Sequence, residues 1–361
     1  MLWNVIGIIG LIAITYIINN ITLTYGFNNL SYKMEIQKKW AEIGEEIEIS
    51  TVIENKKPLA VSFLRVNENF PRNFNVRNNL YSLFIMPYQR VRRTYKIFAE
   101  KRGLYLIQDV NFELGDFIGF DTNKKNIKIE EEIMIYPKKI DIRENLVPIG
   151  SFTGDISVKR WIIDDPLMTI GIREYTGNEP ERFIHWPSSL RHGNLMVKNF
   201  DFTSDNSVLI ILNVETMKPS WKAVEEELTE KVISLARGVM EEFEDAKIPY
   251  GFACNEYNSR SDFGKNYFYQ PGLGANHLNN LLQVLSRISY RMPSSFKNTL
   301  REIRERRGNY TTVVIITPRI LDDYIEPLNN LSKSVNKAIV ISTEEEYFED
   351  LNNNIMKYRS E

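Results

Sequence analysis

Cysteine occurs once in the 361 residues, at Cys254, so the chain can form no internal disulfide. The thiol lies in the apolar stretch Tyr250 to Cys254, which suits an ordinary buried cysteine and is compatible with a reducing compartment. Histidine is nearly as scarce, at positions 185, 192 and 277. One cysteine and three histidines cannot assemble the usual zinc sets without carboxylates, and neither H-E-x-x-H nor C-x-x-C is present. There is no G-x-S-x-G nucleophile elbow, and Gly272-Leu273-Gly274 lacks the further glycine and lysine of a phosphate cradle. That glycine pair reads as a turn before a helix. Charge of one sign is also lacking: the formal net charge is -2 and the pI about 6.1, which argues against a partner held by broad phosphate neutralisation, and so against nucleic acid.

No charged residue precedes Lys33. Leu2 to Ile18 is an apolar run interrupted only by Asn4, Gly7, Gly10 and Thr15, close to the roughly 17 to 25 residues that a bilayer-spanning helix needs. It has no basic leading region and no small-x-small site after it, so it reads as an uncleaved anchor over residues 1–20 with membrane lipid as its partner. Lys33, Lys38 and Lys39 on its C-terminal side favour a single-pass protein whose soluble part is cytoplasmic.

Beyond the anchor, 43% hydrophobic and 25% charged residues are enough for a sizeable core in two domains. Over 30–147 the chain reads as strands. Ile47, Ile49 and Ile53 alternate with polar residues, turn chemistry follows at Asn55-Lys56-Lys57-Pro58, and further runs at Leu59–Val66, Arg90–Ala99, Leu104–Leu114 and Ile127–Tyr136 are spaced as in an antiparallel β-sandwich. Residues 148–207 form a connection with a distinctive polar segment. From 208 to 361 strands and helices alternate: Val208 to Asn213 suits a buried parallel strand, and Trp221, Val224, Leu228, Val232, Leu235, Val239 and Phe243 line one helical face. Helices over Asn276–Tyr290, Ser294–Arg307 and Asp322–Ser334 and strands over Pro249–Cys254, Thr311–Thr317 and Lys337–Ser342 complete the pattern of a doubly wound α/β sheet. In such a sheet a ligand sits beyond the carboxyl ends of the strands, just after Leu212, Cys254 and Ile316.

The segment Gly171 to Phe200 crowds charged, aromatic and turn-forming residues between two strand-like runs. Arg173, Glu174, Tyr175, Gly177, Arg182, Ile184, Trp186, Ser188, Arg191, Gly193, Leu195 and Val197 resemble the signature of the bacterial domain-of-unknown-function family fifty-eight. Asn178 and His185 stand where that family has aspartates. The resemblance extends to Lys101-Arg102-Gly103-Leu104-Tyr105, Gly115-Asp116-Phe117-Ile118-Gly119 and Tyr136-Pro137. It implies no activity. It implies a membrane-tethered β-sandwich followed by a von Willebrand factor A-like domain, and a MoxR-type AAA+ ATPase as partner.

Metal-binding von Willebrand A domains carry D-x-S-x-S after the first strand of the α/β sheet. Here the equivalent positions read Asn213-Val214-Glu215-Thr216-Met217: Asn213 has lost the charge, and the Met217 thioether is a ligand that a hard cation avoids. A degenerate site without metal is therefore expected, with Asn213 and Glu215 free to make a polar contact with a partner. No cofactor is indicated. Arg173, Arg182 and Arg191 beside Tyr175 and Trp186 suit carboxylate or phosphate recognition, and suit still better a buried network that fixes a corner. No nucleophile with an activating partner accompanies His185. The expected function is a non-enzymatic, membrane-anchored binding or adaptor protein. The alternatives are a metal-dependent adhesion-like module and an enzyme acting on envelope components.

Overall fold

The computed structural model describes residues 2–76, 79–115, 121–149, 161, 169–176, 184–200, 207–218, 225–257, 266–289, 295–306, 308 and 310–361. The chain divides into two compact units, Met1–Lys138 and Lys139–Glu361.

The first unit opens with helix α1 (Leu2–Tyr25), 24 residues long. Its apolar stretch stops at Ile18, before Asn19 and Asn20. About 17 residues at 1.5 Å rise reach only ~26 Å, against a hydrocarbon core of about 30 Å. Ile9, Leu11, Ile14 and Ile17 are exposed, whereas the end of the helix touches protein: Thr22 is buried, Asn123 donates to the Leu23 carbonyl at 3.0 Å, and just past the helix Lys57 donates to the Gly26 carbonyl at 2.6 Å. Among the described residues no helix is long and apolar enough to cross a membrane. The expected single-span anchor at residues 1–20, its lipid partner and the membrane location are corrected accordingly.

After α1 come β1 (Leu30–Ile36), β2 (Trp40–Glu42), β3 (Ile47–Asn55), β4 (Val61–Glu68), β5 (Phe74–Asn75), β6 (Leu80–Ile85), β7 (Arg90–Ala99), β8 (Gly103–Gly115) and β9 (Thr122–Tyr136). They pair as one sheet in the order β1-β3-β7-β5 and a second in the order β2-β9-β8-β4-β6. Ile47, Ile49 and Ile97 of the first sheet pack against Ile107, Ile133 and Ile135 of the second, so period-two alternation places one face of each sheet in a shared core.

One carboxylate interrupts that apolar interior. Glu68, at the end of β4, is fully buried and accepts hydrogen bonds from the hydroxyls of Tyr32 (2.9 Å), Tyr81 (2.9 Å) and Tyr95 (2.5 Å). The Arg93 guanidinium lies 3.8 Å from it and stacks over Tyr81 and Tyr95, 4.1 and 4.6 Å from their centroids. Hydrogen bonds from three strands, β1, β6 and β7, thus replace the carboxylate's lost hydration.

The second unit contains α2 (Ile142–Asn145), β10 (Leu146–Ile149), β11 (Thr169–Glu174), α3 (Trp186–His192), β12 (Met196–Phe200), β13 (Val208–Leu212), α4 (Glu226–Asp245), β14 (Tyr250–Tyr257), β15 (Asn266–Gly272), α5 (Ala275–Arg287), α6 (Phe296–Arg306), β16 (Thr312–Thr317), α7 (Asp322–Ser332), β17 (Lys337–Ser342) and β18 (Ile355–Ser360). Seven strands form one mixed sheet in the order β10-β18-β17-β16-β13-β14-β15. Its inner strands run parallel, while β10 and β15 join the edges antiparallel. β13 is buried along its whole length, which is why Val208 to Leu212 reads as an unbroken apolar run. One face of the sheet, from Leu209, Ile211, Val313 and Ile315, packs on Phe296, Leu300 and Ile303 of α6 and Tyr324, Leu328 and Leu331 of α7.

The expected fold class, an α/β plus all-β chain with a transmembrane helix, a β-sandwich and a doubly wound von Willebrand A-like domain, is corrected to a β-rich chain. Among the described residues there are 18 strands in four sheets and seven helices, none of which suits a membrane span. β10, β15 and β18 are the strands that the alternating pattern omitted. β10 passes through Pro148, and β15 mixes polar and aromatic residues, so neither is periodic.

Two tests follow from this packing. Gly238 sits mid-helix in α4 because a Cβ there would lie 2.4 Å from the Ile140 carbonyl oxygen and 2.9 Å from Ile142 Cγ2. Gly238→Ala should therefore destabilise the chain by about 1–3 kcal/mol despite the better helix propensity of alanine, as urea unfolding would show. Burial first, and then the Glu68 charge, hold the Tyr32, Tyr81 and Tyr95 phenols above their ordinary value. A phenol raised in the folded state stabilises the fold below its unfolded value of about 10, and that contribution is lost as pH rises above it. The urea midpoint should fall between about pH 9 and about pH 11, and fall less steeply in Tyr95→Phe.

Candidate functional site

The carboxyl ends of β13, β14 and β16 bring together the residues that follow their last apolar positions, Asn213, Asn255 and Thr317. Asn213 donates through Nδ2 to Thr317 Oγ1 at 2.9 Å, and its Oδ1 accepts from Asn255 Nδ2 and from the Glu215 amide, both at 2.9 Å. Asn255 Oδ1 in turn accepts from the Val214 amide at 2.8 Å. Asn213, Glu215 and Asn255 are all buried.

Glu215 Oε2 accepts from the Tyr324 hydroxyl at 2.6 Å and from the Phe296 amide, the first of α6, at 3.1 Å. One carboxylate thus joins the loop after β13 to the N-termini of two helices, where amide donors and the helix dipole favour negative charge. Burial above all, and then the Glu215 carboxylate, push the Tyr324 phenol well above its usual value. At the rim, Arg319 bridges Glu225 and Glu344, each at 2.8 Å, and Lys218 pairs with Asp323, whose carboxyl is held low by that partner.

Asn213 and Glu215 are therefore spent on internal hydrogen bonds rather than turned outward to a partner. Sequence reasoning located the loops but missed Tyr324 and Arg319. Tyr324 arrives from a helix more than a hundred positions away, and only the tertiary packing reveals its partner.

The distinctive segment folds as β11, the short helix α3 and β12. β11 and β12 pair antiparallel, with Arg173 opposite Val197, and Ile184 bridges to Val197 from the other side. The His185 amide donates to the Met196 carbonyl at 2.8 Å, so β12 lies between two extended segments. His185 caps α3: its Nδ1 accepts from the Ser188 amide at 3.2 Å, which leaves the ring proton on Nε2. Pro187 starts the helix, and Gly193, at φ 75, ends it in the left-handed region with its amide on the Ser189 carbonyl. Buried Ser189 donates to the His185 carbonyl at 3.0 Å and accepts from the Met196 amide at 2.8 Å.

These bonds fix a small frame whose buried residues are Ile184, Ser189 and Val197. The large side chains point away from it. Trp186 is 60% exposed and Leu190 83%, with Ile172 and Leu195 also exposed. Glu174, Arg173 and Arg191 are exposed as well, Tyr175 and Ser188 are half-buried, and the Arg173 guanidinium reaches the Glu174 carbonyl at 3.3 Å. The expected buried arginine and aromatic corner is thus absent from the described part of the segment. Gly177, Asn178 and Arg182 lie outside the described residues.

Two observations separate the sites chemically. The strand-end network is an internal clamp, and the β11–α3–β12 frame presents apolar and cationic groups to its surroundings. Tyr324→Phe should leave Glu215 short of a donor and cost about 1–3 kcal/mol in urea unfolding, while Trp186→Ala should leave the unfolding midpoint nearly unchanged.

No family model and no curated protein matches this chain. The following solved structures each match over less than a third of it. A FixG-related protein from Vibrio parahaemolyticus aligns at 10% identity and a TM-score of 0.20, covering 29% of this chain and 97% of that one. The sporulation control protein Spo0M from Bacillus subtilis aligns at 12% identity and a TM-score of 0.20, covering 30% and 50%. A CARDB domain from Pyrococcus furiosus aligns at 12% identity and a TM-score of 0.19, covering 30% and 94%. At such scores these likenesses carry no functional argument.

Proposed function

We propose that this chain is a non-enzymatic binding or adaptor protein whose contact surface is the exposed face of the β11–α3–β12 frame, with a MoxR-type AAA+ ATPase as its partner. The observation that carries the binding reading is the exposure of Trp186 and Leu190 on a backbone held by the His185 cap, the Gly193 stop and the Ser189 bonds. A helix of seven residues does not hold its shape alone, and here hydrogen bonds to Met196 of β12, from the His185 amide and to the Ser189 hydroxyl, hold it. Large apolar side chains kept in water on a rigid support fit the anchor residues of interfaces, among which tryptophan and arginine are enriched. The identity of the partner rests on the resemblance of Arg173 through Val197 to the signature described above.

The test is direct capture of a purified MoxR-type ATPase from the same cells, with ATP present, by the wild-type chain, Trp186→Ala and Leu190→Ala. Melting curves would confirm that all three are folded. Wild type should retain the ATPase and Trp186→Ala should bind it about 30-fold more weakly, the loss expected of a central anchor. Equal capture by all three would remove the frame from the interface, and capture by none would remove the ATPase.

A further inference from the structure

The outward face of the second sheet in the first unit holds a shallow cavity of about 670 Å³, within the range of small-ligand sites. Three strands build it in register. Asn67 of β4 stands opposite Asn111 of β8, which stands opposite Asn126 of β9, and the row beside it runs Arg65, Glu113, Lys124. Asparagine is depleted in strands because it competes for backbone hydrogen bonds, so a row of three is a costly way to cover a solvated face. The amides are only partly used: Asn126 donates to Asn111 Oδ1 at 3.2 Å, and among the described residues the Asn67 side chain has no hydrogen-bond partner.

Glu113 is held from both sides, 3.5 Å from Arg65 and 3.7 Å from Lys124. That face carries Arg65 and Lys124 against the single carboxylate of Glu113, an excess of positive charge in a chain whose net charge is -2. Along β4, Phe63 continues the same face and is exposed. Its ring lies over Gly115, where a Cβ would come within 2.9 Å of Phe63 Cδ1. The Arg65 guanidinium lies 6.0 Å from the ring centroid.

From this arrangement we propose that the first unit binds an acidic oligosaccharide across β4, β8 and β9. Each amide both donates and accepts, as vicinal sugar hydroxyls require. The negative face of the Phe63 ring suits the polarised C–H face of a pyranose. Arg65 and Lys124 supply charge-assisted donors for a uronate carboxylate, and the excess positive charge selects an acidic sugar over a neutral one. This site is independent of the β11–α3–β12 frame.

The experiment is calorimetric titration of the full chain with hexagalacturonate and, in parallel, with the same oligomer fully methyl-esterified and so uncharged. Melting curves accompany the variants Asn67→Ala, at a half-buried strand position, and Lys124→Gln, at an exposed one, to confirm that both are folded. The acidic oligomer should bind saturably, and about tenfold more tightly than the ester, the size expected for one charge-assisted contact. Asn67→Ala should weaken both oligomers, whereas Lys124→Gln should weaken only the acidic one. Absence of saturable binding, equal affinity for the two oligomers, or affinity for the acid unchanged in both folded variants would each overturn the proposal.

Discussion

Taking a carboxylate out of water costs several kcal/mol unless donors replace its hydration, and the buried Glu68 and Glu215 impose that requirement on elements remote in sequence. In the first unit Glu68 draws three tyrosine hydroxyls and an arginine to one point between strands. In the second, Glu215 draws a helix N-terminus and the Tyr324 hydroxyl onto the loop after β13. Neither requirement can be met by neighbours in sequence. Each therefore fixes how separate elements approach, and strands or helices that drifted apart would leave a charge unpaired in the interior.

The strand-end cluster shows what this costs in function. Open α/β sheets expose their ligand positions beyond the carboxyl ends of the strands, yet here Asn213, Asn255, Thr317 and Glu215 satisfy one another. The side chains that would otherwise meet a ligand hold the fold. The surfaces that remain chemically open lie elsewhere, on the tryptophan and leucine of the β11–α3–β12 frame and on the asparagine row of the first unit. In both cases hydrogen-bonded strands hold the backbone, so the exposed side chains stand on fixed supports.

Much of this was legible in the chain because local periodicity writes it directly. The apolar run Val208 to Leu212 and the face from Val232 to Phe243 specify their elements without knowledge of partners. Lys337 to Ser342 and Thr312 to Thr317 are equally plain. The edge strands were not, because β10 and β15 carry proline or mixed polar residues and gain their pairing from a neighbour already in place. The N-terminal helix misled in the opposite way. Its apolar composition invites a membrane reading, but the run stops at Ile18, and Asn123 at the helix end and Lys57 and Leu114 at Gly26 just beyond it contact protein.

By itself the sequence determined what depends on near neighbours: the alternation of strands, the helical faces, and the absence of the standard zinc, nucleophile-elbow and phosphate-loop motifs. Tertiary structure alone decided which polar residues face inward. Asn213 and Glu215 looked available to a partner and are enclosed, whereas Trp186 looked like a packing residue and is exposed. The physical reason is that burial of a polar or aromatic side chain depends on donors, acceptors and apolar surfaces delivered by remote segments. For Glu215 that segment is the helix carrying Tyr324, and for Asn67 it is the two strands that align Asn111 and Asn126 beside it.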